Sequence, residues 1–226
     1  MKSDYYIDLS KISLNEFQNR LEEGPILPSR TILGENIQEN FEILRSGGVK
    51  NLLDIEYLLK SKKKVGNFSE KSGVSVEYLT ILRREVGSYI SKPFPLSKIP
   101  DLEPAHVEKL AQHKIRTTLD LFERGKNPDS RKTLSKDTRV PPDVLLEMIK
   151  LSDLARINGV GPIFARTWYL SGVDTVEKVA STDPEIILQK LFTIYKEQGF
   201  SKIDFVKRDI EWCVKTAKLL AKVILY

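Results

Sequence analysis

Apolar residues in this chain return every three to four positions in short stretches, each closed by a polar or glycine-marked turn. From Ile43 to Leu59 (ILRSGGVKNLLDIEYLL) a helical pattern breaks at two glycines. It resumes with Leu52, Ile55, Leu58 and Leu59 on one face. Lys109 to Phe122 (KLAQHKIRTTLDLF) and Trp168 to Ala180 (WYLSGVDTVEKVA) read the same way. In each, a turn is followed by a branched apolar residue (Val49, Ile115, Val173), a polar pair and a new helix. Further apolar faces are Leu145, Met148, Ile149 and Leu154, and, in the last helix, Trp212, Val214, Ala217, Leu220, Ala221 and Ile224. No window alternates polar and apolar long enough for a sheet, so the expected fold class is all-α. Helices of about 8–14 residues are marginal alone and must be held by packing.

A second landmark follows each of these stretches: Phe68–Leu79, Leu134–Leu145 and Lys196–Val206. Val49 to Val74 and Ile115 to Val140 are both 25 residues apart, and Val173 to Phe200 is 27. The first two copies are offset by 66 residues at both landmarks, which predicts three related double units. Breakers set the expected boundaries: GPILPS (Gly24–Ser29) ends a leader, and SKPFPLSKIP (Ser91–Pro100) separates the first unit from the second. The division is then 1–28, 29–94, 95–153 and 154–226. The leader carries an amphipathic helix over Ile12–Leu21. With no Pro or Gly in Leu151–Ile157, a continuous helix is expected to join the last two units.

The most specific stretch is Leu154–Ala180, LARINGVGPIFARTWYLSGVDTVEKVA. A helix ends at Ile157, Asn158-Gly159-Val160-Gly161 form a tight turn, and Pro162 suits the first position of the next helix, where its missing N–H costs nothing. The glycines permit positive φ and let another backbone approach, while Val160 turns inward and Ala165, Trp168 and Tyr169 are buried. This hydrophobic-Gly-Val-Gly-Pro pattern, with the following Gly-Val-Asp-Thr-Val, resembles the helix-hairpin-helix motif of DNA repair and recombination proteins. The whole chain is similar to an uncharacterised prokaryotic family of helix-hairpin-helix-repeat domains of unknown function. The resemblance implies three tandem diverged double helix-hairpin-helix (SAM-like) units behind the helical leader. It also implies a DNA phosphate held, without base reading, by backbone amides of Asn158, Gly159, Val160, Gly161 and the helix start at Pro162.

Departures qualify that expectation. Ile163 and Phe164 stand where DNA-gripping members often carry Lys or Thr, so Arg156 and Arg166 are the nearest cations. The second hairpin, Pro100-Asp101-Leu102-Glu103-Pro104, has two carboxylates and should repel DNA. The first, Leu33-Gly34-Glu35-Asn36, keeps one glycine and adds an acid. Lys62, Lys63 and Lys64 follow a helix end and offer either a phosphate contact or a solvated loop, with Arg83 and Arg84 near. Arg124, Lys126, Arg131 and Lys132 fill the matching connection.

Composition narrows the choice. With 36 basic and 31 acidic residues the net charge of +5 is compatible with nucleic acid but mild. Two histidines and one cysteine, Cys213, leave too few soft ligands for zinc and permit no intramolecular disulfide. His106 and His113 lack a nucleophile motif. Asp204, Asp209 and Glu211 lie in a mixed-charge stretch, and Gly159-x-Gly161 lacks the lysine of a P-loop. No catalytic residue, metal, cofactor or small-molecule substrate is expected. Without a long apolar run or a secretory leader, no membrane is expected, and the chain is read as cytoplasmic. The expected function is non-enzymatic, sequence-independent DNA binding, with DNA backbone phosphate as partner. The alternative is a helical-repeat protein-interaction scaffold, or the targeting subunit of a larger complex. Exposure of Ile163 and Phe164 would favour the alternative.

Overall fold

A computed structural model describes residues 3–24, 26–198 and 205–226. Every regular element among them is helical. The β pairing described is confined to two isolated antiparallel bridges, Ser13 with Asn51 and Pro95 with Thr117. Among the described residues no helix is long and apolar enough to cross a membrane. The described residues fall into two compact units, Asp8–Ile90 and the pair of segments Met1–Ile7 and Ser91–Tyr226.

The unit Asp8–Ile90 holds α1 (Leu14–Glu23), α2 (Ile37–Ser46), α3 (Leu52–Leu58), α4 (Lys62–Ser72) and α5 (Val76–Gly87). Helix α1 begins at Ser13, whose hydroxyl accepts from the Glu16 amide while Glu16 accepts from the Ser13 amide, so two amides at the helix start are satisfied together. Its apolar stripe of Leu14, Phe17 and Leu21 is buried with Phe41, Leu44, Ile55 and Leu82. Buried Glu85 on α5 is paired with both Arg20 and Arg30, so its charge is compensated twice.

The other unit holds α6 (Pro104–Gln112), α7 (Thr118–Arg124), α8 (Pro128–Thr138), α9 (Pro142–Leu154), α10 (Pro162–Leu170), α11 (Val176–Ser181), α12 (Pro184–Gln198) and α13 (Lys207–Leu219). Trp168, Phe122, Leu145, Met148, Ile149 and Ile157 form its core.

One turn recurs. Between α2 and α3, α6 and α7, and α10 and α11, a residue at positive φ (Gly48 +85°, Lys114 +63°, Gly172 +77°) precedes buried Val49, Ile115 or Val173. Two residues later Asn51, Thr117 or Thr175 caps the next helix, its side chain accepting from the amide three residues on. In the first copy the Leu52 amide donates to the Ile12 carbonyl, and in the second Thr118 donates to Phe94. In the third the matching Val176 amide donates to the Asp153 carboxylate at 3.2 Å, so a side chain takes the place of the bridging backbone. A related turn joins α4 to α5 through Gly73 (+76°) and buried Val74, and α8 to α9 through Arg139 (+55°) and buried Val140.

Two expectations need correction. No continuous helix runs through Leu151–Ile157: α9 stops at Leu154, because the Asp153 carboxylate faces Val176 and Arg156 and the next amides fold into tight turns. The last helix stops at Leu219, short of Ile224. The extended residues after it are held by a hydrogen bond from the Leu225 amide to the Lys126 carbonyl and by the Tyr226 hydroxyl on Asp153. Phe200 lies outside the described residues. Within them, the residue buried two positions before a helix start, as Val74 and Val140 are, is Phe205.

Candidate nucleic-acid interface

The turn Asn158–Pro162 is fixed from below. The Asn158 Oδ1 accepts from Trp212 Nε1 at 3.0 Å, and its carbonyl accepts from Cys213 Sγ at 3.6 Å, both on α13. Val160 is buried and its amide closes the turn onto the Ile157 carbonyl at 3.1 Å. Gly159 is exposed and sits at φ +89°, where a side chain would be strained. Gly161 differs: its φ of −85° suits any residue, and a Cβ there would meet nothing within 4 Å. Neither conformation nor packing inside the protein requires glycine at 161.

Gly161 is also the N-cap of α10, and it has no side chain to bond the amides of Ile163 and Phe164. Helix starts leave such amides without an intrahelical partner, and the macrodipole favours an anion there. Ser13, Asn51, Ser61, Ser75, Thr117, Asn127 and Thr175 cap their helices with side chains, whereas Asn36, Glu103 and Pro141, like Gly161, make no side-chain capping bond.

The second hairpin has the same backbone plan with opposite chemistry. Asp101 stands three residues before α6 at φ +59°, as Gly159 stands before α10, and Pro104 opens the helix as Pro162 does. The N-cap is Glu103, whose carboxylate lies 3.4 Å from His106 Nδ1. In the first hairpin the positive φ moves to Asn36 (+47°), directly before α2.

The cations expected beside the third hairpin are committed inside the protein. Arg156 is 1 % exposed, ion-paired with Asp153, and donates to the carbonyls of Asp4 (3.0 Å), Tyr5 (3.3 Å) and Ala221 (2.8 Å). Its guanidinium also covers the Phe122 ring at 4.6 Å. Arg166 is 3 % exposed, with Nε donating to Pro100 and Nη1 to Glu147 at 2.7 Å. As placed, neither guanidinium can meet a phosphate outside.

Ile163 and Phe164 are half-buried, and Phe164 rings pack with Trp168 (5.6 Å) and Phe205 (5.2 Å). Lys62, Lys63 and Lys64 are exposed but form the first turn of α4, not a loop, and Ser61 caps that turn. Lys64 reaches back to the Tyr57 carbonyl at 2.8 Å, complementing the end of α3. They belong to the unit Asp8–Ile90, whereas the hairpin belongs to the other.

Sequence reasoning missed the contribution of α13. Trp212 binds Asn158, and Arg208 and Lys215, both exposed, lie one turn to either side of it on that helix face. Asp209 shares the face, but its carboxylate holds the Val206 amide. The spacing 208–212–215 is visible in the sequence; that this face meets the hairpin is not. Cys213 beside it is buried, which pushes its thiol up to about 12, with Asp209 adding to the rise. Among the described residues, no three His, Cys, Asp or Glu side chains gather as metal ligands would.

A family model for a domain of unknown function (DUF4332) matches residues 100–220, from the second hairpin through α13. No curated protein and no solved structure matches the chain.

Proposed function

The chain belongs to the DUF4332 family of domains of unknown function, and from its third hairpin we propose that it is a non-enzymatic, sequence-independent nucleic-acid-binding protein. In this reading the recurring turns are three diverged helix-hairpin-helix units behind a leader helix. Only the third keeps a hairpin fit for phosphate. The observation that carries the proposal is Gly161: a half-buried helix cap where a Cβ would meet nothing within 4 Å, leading into amides that no side chain caps. A glycine there is explained by an outside backbone that must come close. Arg208, exposed one turn from Trp212 on α13, takes over the role expected of Arg156 and Arg166. DNA and RNA share the phosphate chemistry that the hairpin would meet.

The test is fluorescence anisotropy with duplex, single-stranded and branched DNA at two salt concentrations. Affinity should fall with salt by about one log unit per log unit for each neutralised phosphate, and vary little with sequence. Gly161→Glu places a like charge at the phosphate position, a repulsion of about 4 kcal/mol at 4 Å in a surface environment, and should abolish binding in a protein that still folds. Binding that survives Gly161→Glu, or no binding to any DNA form, overturns the proposal.

A specific observation favours the scaffold reading as runner-up. Leu170, Ile186 and Phe192 are large apolar side chains, each more than one-third exposed.

A further inference from the structure

Four aromatic rings run outward from the core of the unit that holds the third hairpin. Trp168 is fully buried, and its ring meets Phe164 edge-on at 5.6 Å. Phe164 meets Phe205 at 5.2 Å, and Phe205 stacks with Phe192 at 5.0 Å and 30°. Tyr195, one turn beyond Phe192 on α12, sets its ring edge-on to Phe205 at 5.9 Å. Phe205 is thus nearly enclosed, at 6 % exposed, whereas Phe192 is 45 % exposed. One face of Phe192 rests on Phe205, so its exposed area lies on the remainder of the ring.

The same series starts at the hairpin. Phe164 is the third residue of α10, and no side chain caps its amide. A phosphate at the α10 start and a ring laid on Phe192 would be two ring contacts apart. Lys196, exposed, stands one turn beyond Phe192 on the same helix face. Glu185, two turns before it, is held by Lys207 at 3.0 Å. A single exposed apolar residue needs no explanation. Phe192 differs in having its ring supported by a second ring and joined through Phe164 to the uncapped amides. Ile186 is six residues away, so it points to another side of α12 and forms no common apolar patch with Phe192.

We propose that the third hairpin takes single-stranded nucleic acid, with an unpaired base stacked on Phe192. One phosphate of the strand lies at the α10 start, and another meets Lys196. In a duplex each base is stacked between its neighbours and offers no face, so only an unpaired base can use the platform. Every base has such a face, so little sequence preference follows. The platform's role rests on the phosphate clamp proposed above and names the substrate class of that same site.

The experiment is fluorescence anisotropy of the full chain with a short labelled DNA strand of mixed sequence and with its duplex, at one salt concentration. The strand should bind more tightly than the duplex. Phe192→Leu keeps apolar bulk but removes the π face, and should lower the preference for strand over duplex by about tenfold. Phe192→Trp should keep that preference. Circular dichroism confirms that each variant is folded. Three results overturn the platform and leave the clamp standing: a duplex bound at least as tightly as the strand, strand binding that Gly161→Glu abolishes but Phe192→Leu leaves unchanged, or equal losses in Phe192→Trp and Phe192→Leu. Binding of neither form overturns the clamp, and the platform falls with it.

Discussion

Arg156→Met removes the charge of a buried side chain while keeping most of its length. In the structure the guanidinium is 1 % exposed, pairs with Asp153 (3 % exposed) and serves three backbone carbonyls at Asp4, Tyr5 and Ala221. Methionine leaves Asp153 charged and buried, supported only by the Val176 amide and the Tyr226 hydroxyl, and leaves the three carbonyls without this donor. Breaking a buried pair from one side costs about 3–5 kcal/mol. For a chain of this size that corresponds to a fall in Tm of roughly 6–20 °C. Urea unfolding followed by circular dichroism gives the number. The double variant Asp153→Asn/Arg156→Met should lose less than the sum of the two single variants, because the stranded charge is then gone. A single-variant loss below about 1 kcal/mol, the range of an exposed arginine, would refute the placement of Arg156 and return it to the surface role read from the sequence.

The two hairpin glycines should part company. Gly159→Ala forces a side chain to φ +89° and should cost more than about 1 kcal/mol, whereas Gly161→Ala, unstrained but at an N-cap where glycine outranks alanine, should cost less than that in urea unfolding. Lys114 and Arg139 hold the left-handed positions that glycine holds in the sister turns, so Lys114→Gly or Arg139→Gly should raise stability by up to about 1 kcal/mol. Cys213, with its thiol pushed up to about 12, should resist iodoacetamide in the native protein at pH 8.5 and react once unfolded. Its sign follows: an unfolded thiol ionises near pH 8.5 while the folded one keeps its proton, so this contribution is full below pH 8.5 and is lost as pH rises towards 12. Cys213→Ala should flatten that alkaline decline. Asp174 runs the other way. Burial raises its pKa, but hydrogen bonds and charge from Lys150 and Lys178 outweigh burial and hold it below the usual carboxylate range. Its contribution is present above about pH 4 and lost as pH falls through the depressed value, so Lys150→Gln should weaken acid resistance.

Helix content and the recurring turn were legible because their determinants are local. Asn51 with Asp54 and Thr117 with Asp120 are capping boxes written within four residues, and Val49, Ile115 and Val173 mark the same turn three times. What failed depends on distant partners. Nothing in Leu151–Ile157 breaks a helix, yet Asp153 is drawn to Val176, 23 positions on. Arg156 and Arg166 look free beside the hairpin, and only the folded chain brings Asp4, Tyr5 and Ala221 to one and Pro100 and Glu147 to the other. The lysines at 62–64 follow one helix so closely that they read as its tail, although Ser61 is the cap of the next.

The most direct test of the central claim is an amide-resolved NMR titration of the folded chain with a short duplex at low salt, repeated with salt added. The account predicts that the amides of Gly161, Ile163 and Phe164 shift together and return as salt rises, while those at the α6 start, Ala105 and His106, do not. Shifts confined to other surfaces, with the α10 start unmoved, would contradict it.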